Sequence, residues 1–343
     1  MKYSLLLGLV LLSGCQIGYY GHIARGHLSL MADRQPVEEV LQADTLTAHQ
    51  RQQLLLSQQL LVFAGQRLDL PVKKVYRDYV SLPEDWVVWN LFAAPEFSFE
   101  PHRWCYPLIG CAGYRGYFTV ARAEREQRRL QGRGLQVYGA GAIAYSTLGW
   151  FRDPLTSAML QGDDLWLAEL LFHELVHRRF YLKGDTRFNE SLATAVAREG
   201  VRRWLAAEGD PARGAVLAER DQARHAFLAL VADARRELEQ LYRKDLPVMA
   251  MRTAREQIIS GLRRRYAAER EAMPALAGYA DWFAGPLNNA QLNMVSDYHD
   301  QVPLFDATLL ACGGDWRCFW REVERLAKLP AAERALLSRN MHD

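Results

Sequence analysis

The stretch Leu165–Ala197, LWLAELLFHELVHRRFYLKGDTRFNESLATAVA, contains the motif HELVH. The apolar residues before the motif recur at intervals of three and four, which predicts an amphipathic helix through it. His173 and His177 lie four positions apart, so both imidazoles leave the same helix face one turn apart. That geometry lets both side chains bind a single zinc ion. Asp163 and Asp164 stand at the expected helix start, where carboxylates cap free N–H groups.

A third zinc ligand is expected on a second helix. A catalytic zinc ion has three protein ligands and one open position. The tripeptide Lys183–Asp185 predicts a turn whose glycine ends the first helix, and a second helix is expected over about residues 189–207. Glu190 lies in its first turn, with twelve residues between it and His177, and helices joined by so short a loop pack together. The predicted ligands of one zinc ion per chain are therefore His173, His177 and Glu190.

Three further carboxylates lie close to the motif in sequence. Glu174 is adjacent to His173, so it projects at a different angle and can reach a water molecule at the metal without binding the metal. We predict Glu174 as the general base. Glu199 and Asp185 are alternatives for the third ligand. Glu199 is nine residues beyond Glu190 on the same predicted helix and is turned away from it, and Asp185 lies in the turn.

The N-terminus predicts an export signal. The apolar run Leu5–Leu12 is too short to span a membrane and is typical of a signal peptide. The sequence LSGC that ends at Cys15 resembles a bacterial lipobox, in which cleavage precedes the cysteine and the cysteine is lipidated. Gln16 favours the outer membrane, by resemblance to other lipoproteins. We therefore expect residues 1–14 to be a signal peptide and the mature chain to be lipid-anchored facing the periplasm; an ordinary secretory signal or a short anchor helix is the alternative.

Four further cysteines form two pairs with the same spacing. Cys105 and Cys111 are six positions apart, and Cys312 and Cys318 repeat that separation near the C-terminus. In an exported protein such pairs indicate disulfides, and C-x5-C is not a usual zinc spacing. Four cysteines allow three pairings. We predict the two local pairs.

Composition favours one compact enzyme-sized domain over residues 15–343. The chain has 343 residues, of which 50% are hydrophobic, and a formal net charge of +2, which gives no argument for a nucleic-acid partner. Strands are expected over residues 86–92, 97–99 and 135–148, and the chain beyond residue 207 is predicted to be helical almost to its end. The predicted fold class is α+β and predominantly α, with a small mixed sheet on the N-terminal side and a helical C-terminal half.

Two regions are predicted to contact a substrate. Zinc peptidases hold the substrate backbone against an edge strand upstream of the zinc helix, and an open edge binds an extended peptide by adding a strand. The proposed edge consists of Gly141, Ala142, Ile143, Ala144, Tyr145 and Ser146; an internal strand of the same sheet is the alternative. The developing oxyanion needs a donor from a downstream helix. Tyr298 and His299 are the candidates for that donor, and a structural helix end before Pro303 is the alternative.

Several motifs together resemble one family. They are FAAPE, C-x5-C-x2-YRGYF, AYSTLGWF-x-DPL, HELVH, FNESLA and NNA-x-L. The chain is similar, over nearly the whole mature length, to a family of bacterial predicted aminopeptidases with lipoprotein signals. More widely it resembles the gluzincin metallopeptidases, which implies a thermolysin-like catalytic core acting on a peptide or protein substrate. The resemblance implies that His173, His177 and Glu190 bind zinc and that Glu174 is the base.

The chain also departs from the wider gluzincin pattern. The spacing of twelve residues before Glu190 is shorter than in the well-known aminopeptidases of that group, and no GAMEN motif is present to hold the free amine of a substrate. Glu96 and Glu100 are the candidates for that role. Thr194 stands where thermolysin-like enzymes have an aspartate that supports a zinc histidine. An envelope endopeptidase and a non-catalytic zinc-containing scaffold protein are therefore the alternatives to an aminopeptidase.

Overall fold

The computed structural model describes residues 18–106, 110–144 and 152–339. The signal peptide and Cys15 lie outside the described residues. The first helix, α1, covers residues 18–32. The later helices are α2 (Val37–Gln42), α3 (Ala48–Arg67), α4 (Val120–Gln131), α5 (Asp164–Arg179), α6 (Thr186–Glu208), α7 (Pro211–Tyr242), α8 (Val248–Ala272), α9 (Ala280–Ala284), α10 (Asn289–His299), α11 (Val302–Ala311), α12 (Trp316–Ala327) and α13 (Ala331–Arg339). The strands are β1 (Gln35–Pro36), β2 (Asp78–Val80), β3 (Val88–Pro95), β4 (Trp104–Tyr106), β5 (Gly110–Ala112), β6 (Tyr114–Tyr117), β7 (Leu135–Ala142) and β8 (Leu155–Thr156).

The fold class agrees with the prediction, but the sheet does not form one unit. The structure is mostly helical (66%), and every described strand lies in the N-terminal half. Three small sheets have the orders β1-β2-β8, β6-β3-β7 and β4-β5. Only the first is mixed, since β2 and β8 are parallel; the sheet around β3 is antiparallel.

The strand expected over residues 97–99 is not formed. The rings of Phe97 and Phe99 instead pack on Tyr242 of α7, at centroid distances of 5.9 and 5.8 Å. The Asn289 side chain donates to the carbonyl of Ser98, so the backbone of this segment bonds to a helix and not to a strand. The segment expected as strand over residues 135–148 forms β7 over its first eight residues, and its residues 145–148 lie outside the described residues.

The two faces of the β6-β3-β7 sheet have different neighbours. Side chains alternate between faces along a strand. One face carries Leu91 and Val137, which are buried against Leu130 of α4. The opposite face carries the row Tyr114, Phe92 and Tyr138, whose members pair across the three strands with ring centroids 5.6 and 6.5 Å apart. We call this row of three rings the sheet wall.

Helices α5 and α6 form the centre of the largest hydrophobic core. Asp163 caps α5 by accepting from the Trp166 N–H (3.0 Å), as predicted. Helix α5 ends at Arg179, before the glycine of the turn, because Phe180 is extended and packs on Phe188 (5.9 Å). Helix α6 starts at Thr186, three residues earlier than expected, because Asp185 caps it.

Both predicted local disulfides are present in the structure, Cys105–Cys111 and Cys312–Cys318. The first closes the β4–β5 hairpin, which lies against the α5–α6 turn: a Cβ on Gly110 would be 3.0 Å from the Gly184 nitrogen. Within residues 18–106, 110–144 and 152–339, no helix combines the length and the apolar character needed to cross a membrane.

Candidate active site

Three side chains on α5 and α6 converge on one point. The Nε2 atoms of His173 and His177 are 3.2 Å apart, and Glu190 Oε2 lies 3.2 Å from the first and 3.4 Å from the second. Their ligand atoms all lie within 4.8 Å of one another. Burial alone would raise the pKa of the Glu190 carboxyl, but the two histidines outweigh it and lower that pKa below its usual range. Two imidazole nitrogens and an ionised carboxylate aimed at one point can hold a metal ion.

The two alternative ligands have other partners. Glu199 accepts from Arg202 (2.9 Å) and Arg203 (2.8 Å) on the far part of α6. Asp185 caps α6 through the Phe188 N–H (3.0 Å) and also pairs with the buried Arg334 of α13. Neither carboxylate belongs to the converging group.

Asn189, the residue before Glu190, fixes the position of Glu190 relative to the connecting loop. The Asn189 carboxamide accepts from the Leu182 N–H (2.7 Å) and donates to the Leu182 carbonyl (2.8 Å). This two-point contact ties the first turn of α6 to the connecting loop, so the register between the histidines and Glu190 is set. Sequence reasoning missed Asn189, although it is part of the FNESLA motif.

Glu174 lies beside the converging group but outside it. Its side chain is partly exposed although protein surrounds it, and burial raises the pKa of its carboxyl while His177 and His173 oppose the shift. The carboxylate of Asp153, which is 1% exposed and 3.2 Å from Arg178 Nη1, raises that pKa further. A carboxyl group with a raised pKa next to a metal site can accept and return a proton.

The structure separates the two candidate donors of α10. The Tyr298 ring stacks on the His173 ring, with centroids 5.8 Å apart and an interplanar angle of 16°. His299 Nδ1 instead lies 3.0 Å from the Arg198 guanidinium. Burial and the charge of Arg198 lower the pKa of His299 well below its ordinary value. Tyr298 therefore lines the site, whereas the His299 ring is directed to Arg198.

Two tyrosines near the site were not predicted. Tyr114 begins β6, and its pKa is raised well above the usual value by burial and then by the Glu190 charge. Tyr76, 2% exposed, has its pKa raised by burial and by Glu174, and its φ of 54° is unusual for a bulky residue. The YRGYF motif that starts at Tyr114 was the available signal for the first; nothing in the pattern around Tyr76 marked the second.

Comparison with protein families identifies the chain's relatives. A family model described as "Putative aminopeptidase" matches residues 18–337. The chain belongs to this aminopeptidase family. No curated protein and no solved structure matches it significantly.

An aminopeptidase binds the free amino group of its substrate, and the two predicted carboxylates for that role lie elsewhere. Glu96 accepts from Arg252 of α8 at 2.8 and 2.9 Å, next to the start of α10 and not to its Tyr298 end. Glu100 is exposed at the surface. Thr194, which stands where thermolysin-like enzymes have an aspartate, is 5% exposed. Among the described residues His177 Nδ1 has no hydrogen-bond partner, which agrees with the lack of an aspartate at this position.

The predicted substrate strand falls partly on β7, the outer strand of its sheet as far as the structure describes the chain. Gly141 and Ala142 end β7, Ile143 and Ala144 follow it, and Tyr145 and Ser146 lie outside the described residues. The Ile143 carbonyl accepts from Thr156 Oγ1 (3.1 Å). A Cβ on Gly141 would lie 2.9 Å from the Trp86 side chain, so the packing of this tryptophan favours glycine at position 141.

Proposed function

We propose that the chain is a zinc-dependent aminopeptidase with a thermolysin-like catalytic core. The observation that carries the proposal is the convergence of His173, His177 and Glu190 within 4.8 Å, with Glu174 adjacent to the group but free of it. Two histidines and one glutamate are the protein ligands of the thermolysin-like zinc hydrolases. The aminopeptidase family name supports a peptide as the substrate.

The chain's own side chains supply the proton transfers. Zinc held by the three ligands would lower the pKa of a water molecule and polarise the substrate carbonyl. Glu174 takes a proton from the attacking water as the new C–O bond forms. The electron pair of the carbonyl moves to its oxygen, and Tyr298 donates a hydrogen bond to that oxygen. When the C–N bond breaks, Glu174 returns its proton to the leaving amine.

The proposed location is the cell envelope. The LSGC sequence and the apolar run before it support lipidation at Cys15. We propose that the mature chain faces the periplasm from the outer membrane. Loss of palmitate labelling in Cys15→Ser is the expected result; labelling that is unchanged in this variant would exclude the lipid anchor.

The test is metal content together with peptide hydrolysis by the purified protein. We expect one zinc ion per chain by mass spectrometry, and release of N-terminal residues from peptides with a free amine but not from the same peptides with an acetylated N-terminus. Hydrolysis should stop with a chelator and return with zinc. Protein purified without a chelator that contains no zinc would refute the proposal.

The endopeptidase alternative is favoured by one observation. Glu96, one of the two candidates for binding a substrate amine, is paired with Arg252 instead. Equal cleavage of free and acetylated peptides, inside the sequence, would establish it. A non-catalytic scaffold would instead need a fourth protein ligand to close the metal site.

A further inference from the structure

We propose that Tyr114 is a second catalytic phenol, which donates a hydrogen bond to the oxyanion from the sheet side while Tyr298 donates from α10. The inference rests on the proposed function, because it concerns the same metal group. It assigns a catalytic role to a strand residue more than 50 positions before the HELVH motif.

The position of Tyr114 is set by two close contacts of the residue before it. The N–H of the preceding Gly113 donates to Thr186 Oγ1 (3.3 Å), at the first residue of α6. A Cβ on Gly113 would lie 3.5 Å from Asp297 Oδ2, which belongs to α10. The start of β6 is therefore wedged between the helix that carries Glu190 and the helix that carries Tyr298.

The two phenols lie near the same carboxylates. Besides burial, the charge of Glu190 contributes most to the raised pKa of Tyr114 and of Tyr298 alike, and Glu174 and Asp297 contribute to both. Tyr114 itself contributes to the pKa of Tyr298. Two aromatic side chains from different elements thus lie near the ligands: the Tyr298 ring stacks on His173, and Tyr114 directly follows the residue that contacts α6 and α10.

Neither hydroxyl is occupied by the protein. Among the described residues no hydrogen bond is formed by the Tyr114 or Tyr298 hydroxyl, and both side chains are partly exposed. Several tyrosines that pack in the interior donate to a protein acceptor instead: Tyr19 to the Gly116 carbonyl (3.2 Å), Tyr242 to Asn289 (2.9 Å) and Tyr266 to the Leu276 carbonyl (3.2 Å).

The chemistry suits donation without proton transfer. Because the pKa of each phenol is raised, both remain protonated at neutral pH and keep their O–H donors. An oxyanion accepts two such bonds, and fixed donors in a water-poor site stabilise the transition state more than the neutral ground-state carbonyl. Both phenols stay neutral through the step, so the proton balance through Glu174 is unchanged.

The alternative is that Tyr114 serves only as packing. Its ring lies 5.6 Å from Phe92 in the sheet wall, and phenylalanine would preserve that contact. Tyr138 provides a matched control, because it flanks Phe92 on the other side in the same row (6.5 Å) and its pKa is raised by burial alone.

The first experiment compares Tyr114→Phe, Tyr298→Phe, the double variant and Tyr138→Phe in the full-length protein. We expect kcat to fall about 100-fold in each of the first two at similar KM and zinc content, as for removal of one oxyanion donor. Tyr138→Phe should stay within about twofold of the unmodified protein. A kcat for Tyr114→Phe that matches the Tyr138→Phe value would overturn the proposal.

A binding measurement separates this inference from the proposed function. A phosphinic peptide, which carries a tetrahedral anionic group, is titrated calorimetrically into the zinc-loaded variants. We expect about 100-fold weaker binding in Tyr114→Phe and none of that loss in Tyr138→Phe, even if no peptide is hydrolysed by the unmodified protein. Equal affinity in the two variants would refute the role of Tyr114, whereas no binding of the phosphinic peptide by the zinc-loaded unmodified protein would refute the proposed function on which the inference rests.

Discussion

The two sides of the candidate site differ in how their side chains are used. The helical wall, α5 and α6, places its ligands on a fully packed base in which Phe172, Leu175 and Phe188 are completely buried. The sheet wall presents Tyr114 and Tyr138, both partly exposed, on either side of Phe92. The helical wall is held by internal contacts, while the sheet wall keeps two partly exposed rings. The difference indicates that side chains of the sheet wall can be changed without disturbing the packing beneath the candidate metal ligands.

The largest loss of activity should come from a change at Glu174, which belongs to the helical wall and is proposed to act on the reacting water. Glu174→Gln keeps the shape and removes the proton acceptor, so kcat should fall by at least about 1,000-fold with zinc content unchanged. The control is Glu169→Gln on the same helix, where the native side chain pairs with Arg224 (3.0 Å). Full activity of Glu174→Gln would disprove the assigned mechanism.

Loss of a ligand should remove the metal and leave the fold. Glu190→Ala should weaken zinc affinity by more than about 100-fold, since the loss of even an outer contact of a metal site costs about 10–100-fold. Glu199→Ala, on the same helix, should keep one zinc ion per chain. Competition with a coloured chelator measures both. Equal zinc affinity in the two variants would remove Glu190 from the ligand set.

Replacing an aromatic side chain by alanine should lower the free energy of unfolding more in the helical wall than in the sheet wall. Phe172 is fully buried, so Phe172→Ala should lower the free energy of unfolding by about 3–5 kcal/mol. Tyr138→Ala should lower it by only about 1–2 kcal/mol, because part of that ring is already in contact with solvent. Urea unfolding followed by circular dichroism measures both changes. Similar losses would mean that the two walls are equally packed.

The last prediction is a gradual pH dependence of stability from Asp297 of α10. Burial raises the pKa of Asp297 from 3.8 to about 6 despite the nearby Arg187. Because the folded chain binds this proton more tightly, the stabilisation is present below about pH 4 and is lost as the pH rises through about 6, by at most about 3 kcal/mol. Asp297→Asn should flatten this part of the urea-unfolding profile; parallel profiles for both proteins would assign the titration to another group.

The helical wall could be predicted from the sequence because its geometry is local. His173, His177 and Glu190 lie within eighteen positions, and helix periodicity and one turn determine their approach. The start of α6 was placed three residues too late because the Asp185 cap was not recognised. That error did not move Glu190 out of the first two helical turns, so the ligand prediction did not depend on it.

The sheet wall could not be predicted because its geometry depends on distant pairings. Tyr114 reaches Glu190, 76 positions away, only through its register with Phe92 and the docking of β6 on α6. Tyr298 and His299 are adjacent, about 100° apart on a helix, and only the docking of α10 shows which one faces the metal group. The left-handed backbone of Tyr76 has no sequence signal at all.

The shortness of the α5–α6 connection also has a consequence for the order of folding. Contacts between residues close in sequence form fastest, because little chain entropy is lost when they meet. The candidate metal ligands span only His173 to Glu190, whereas α10 begins about a hundred residues later. The helical hairpin can therefore bring its candidate ligands together early, and Tyr298 joins them only when α10 docks.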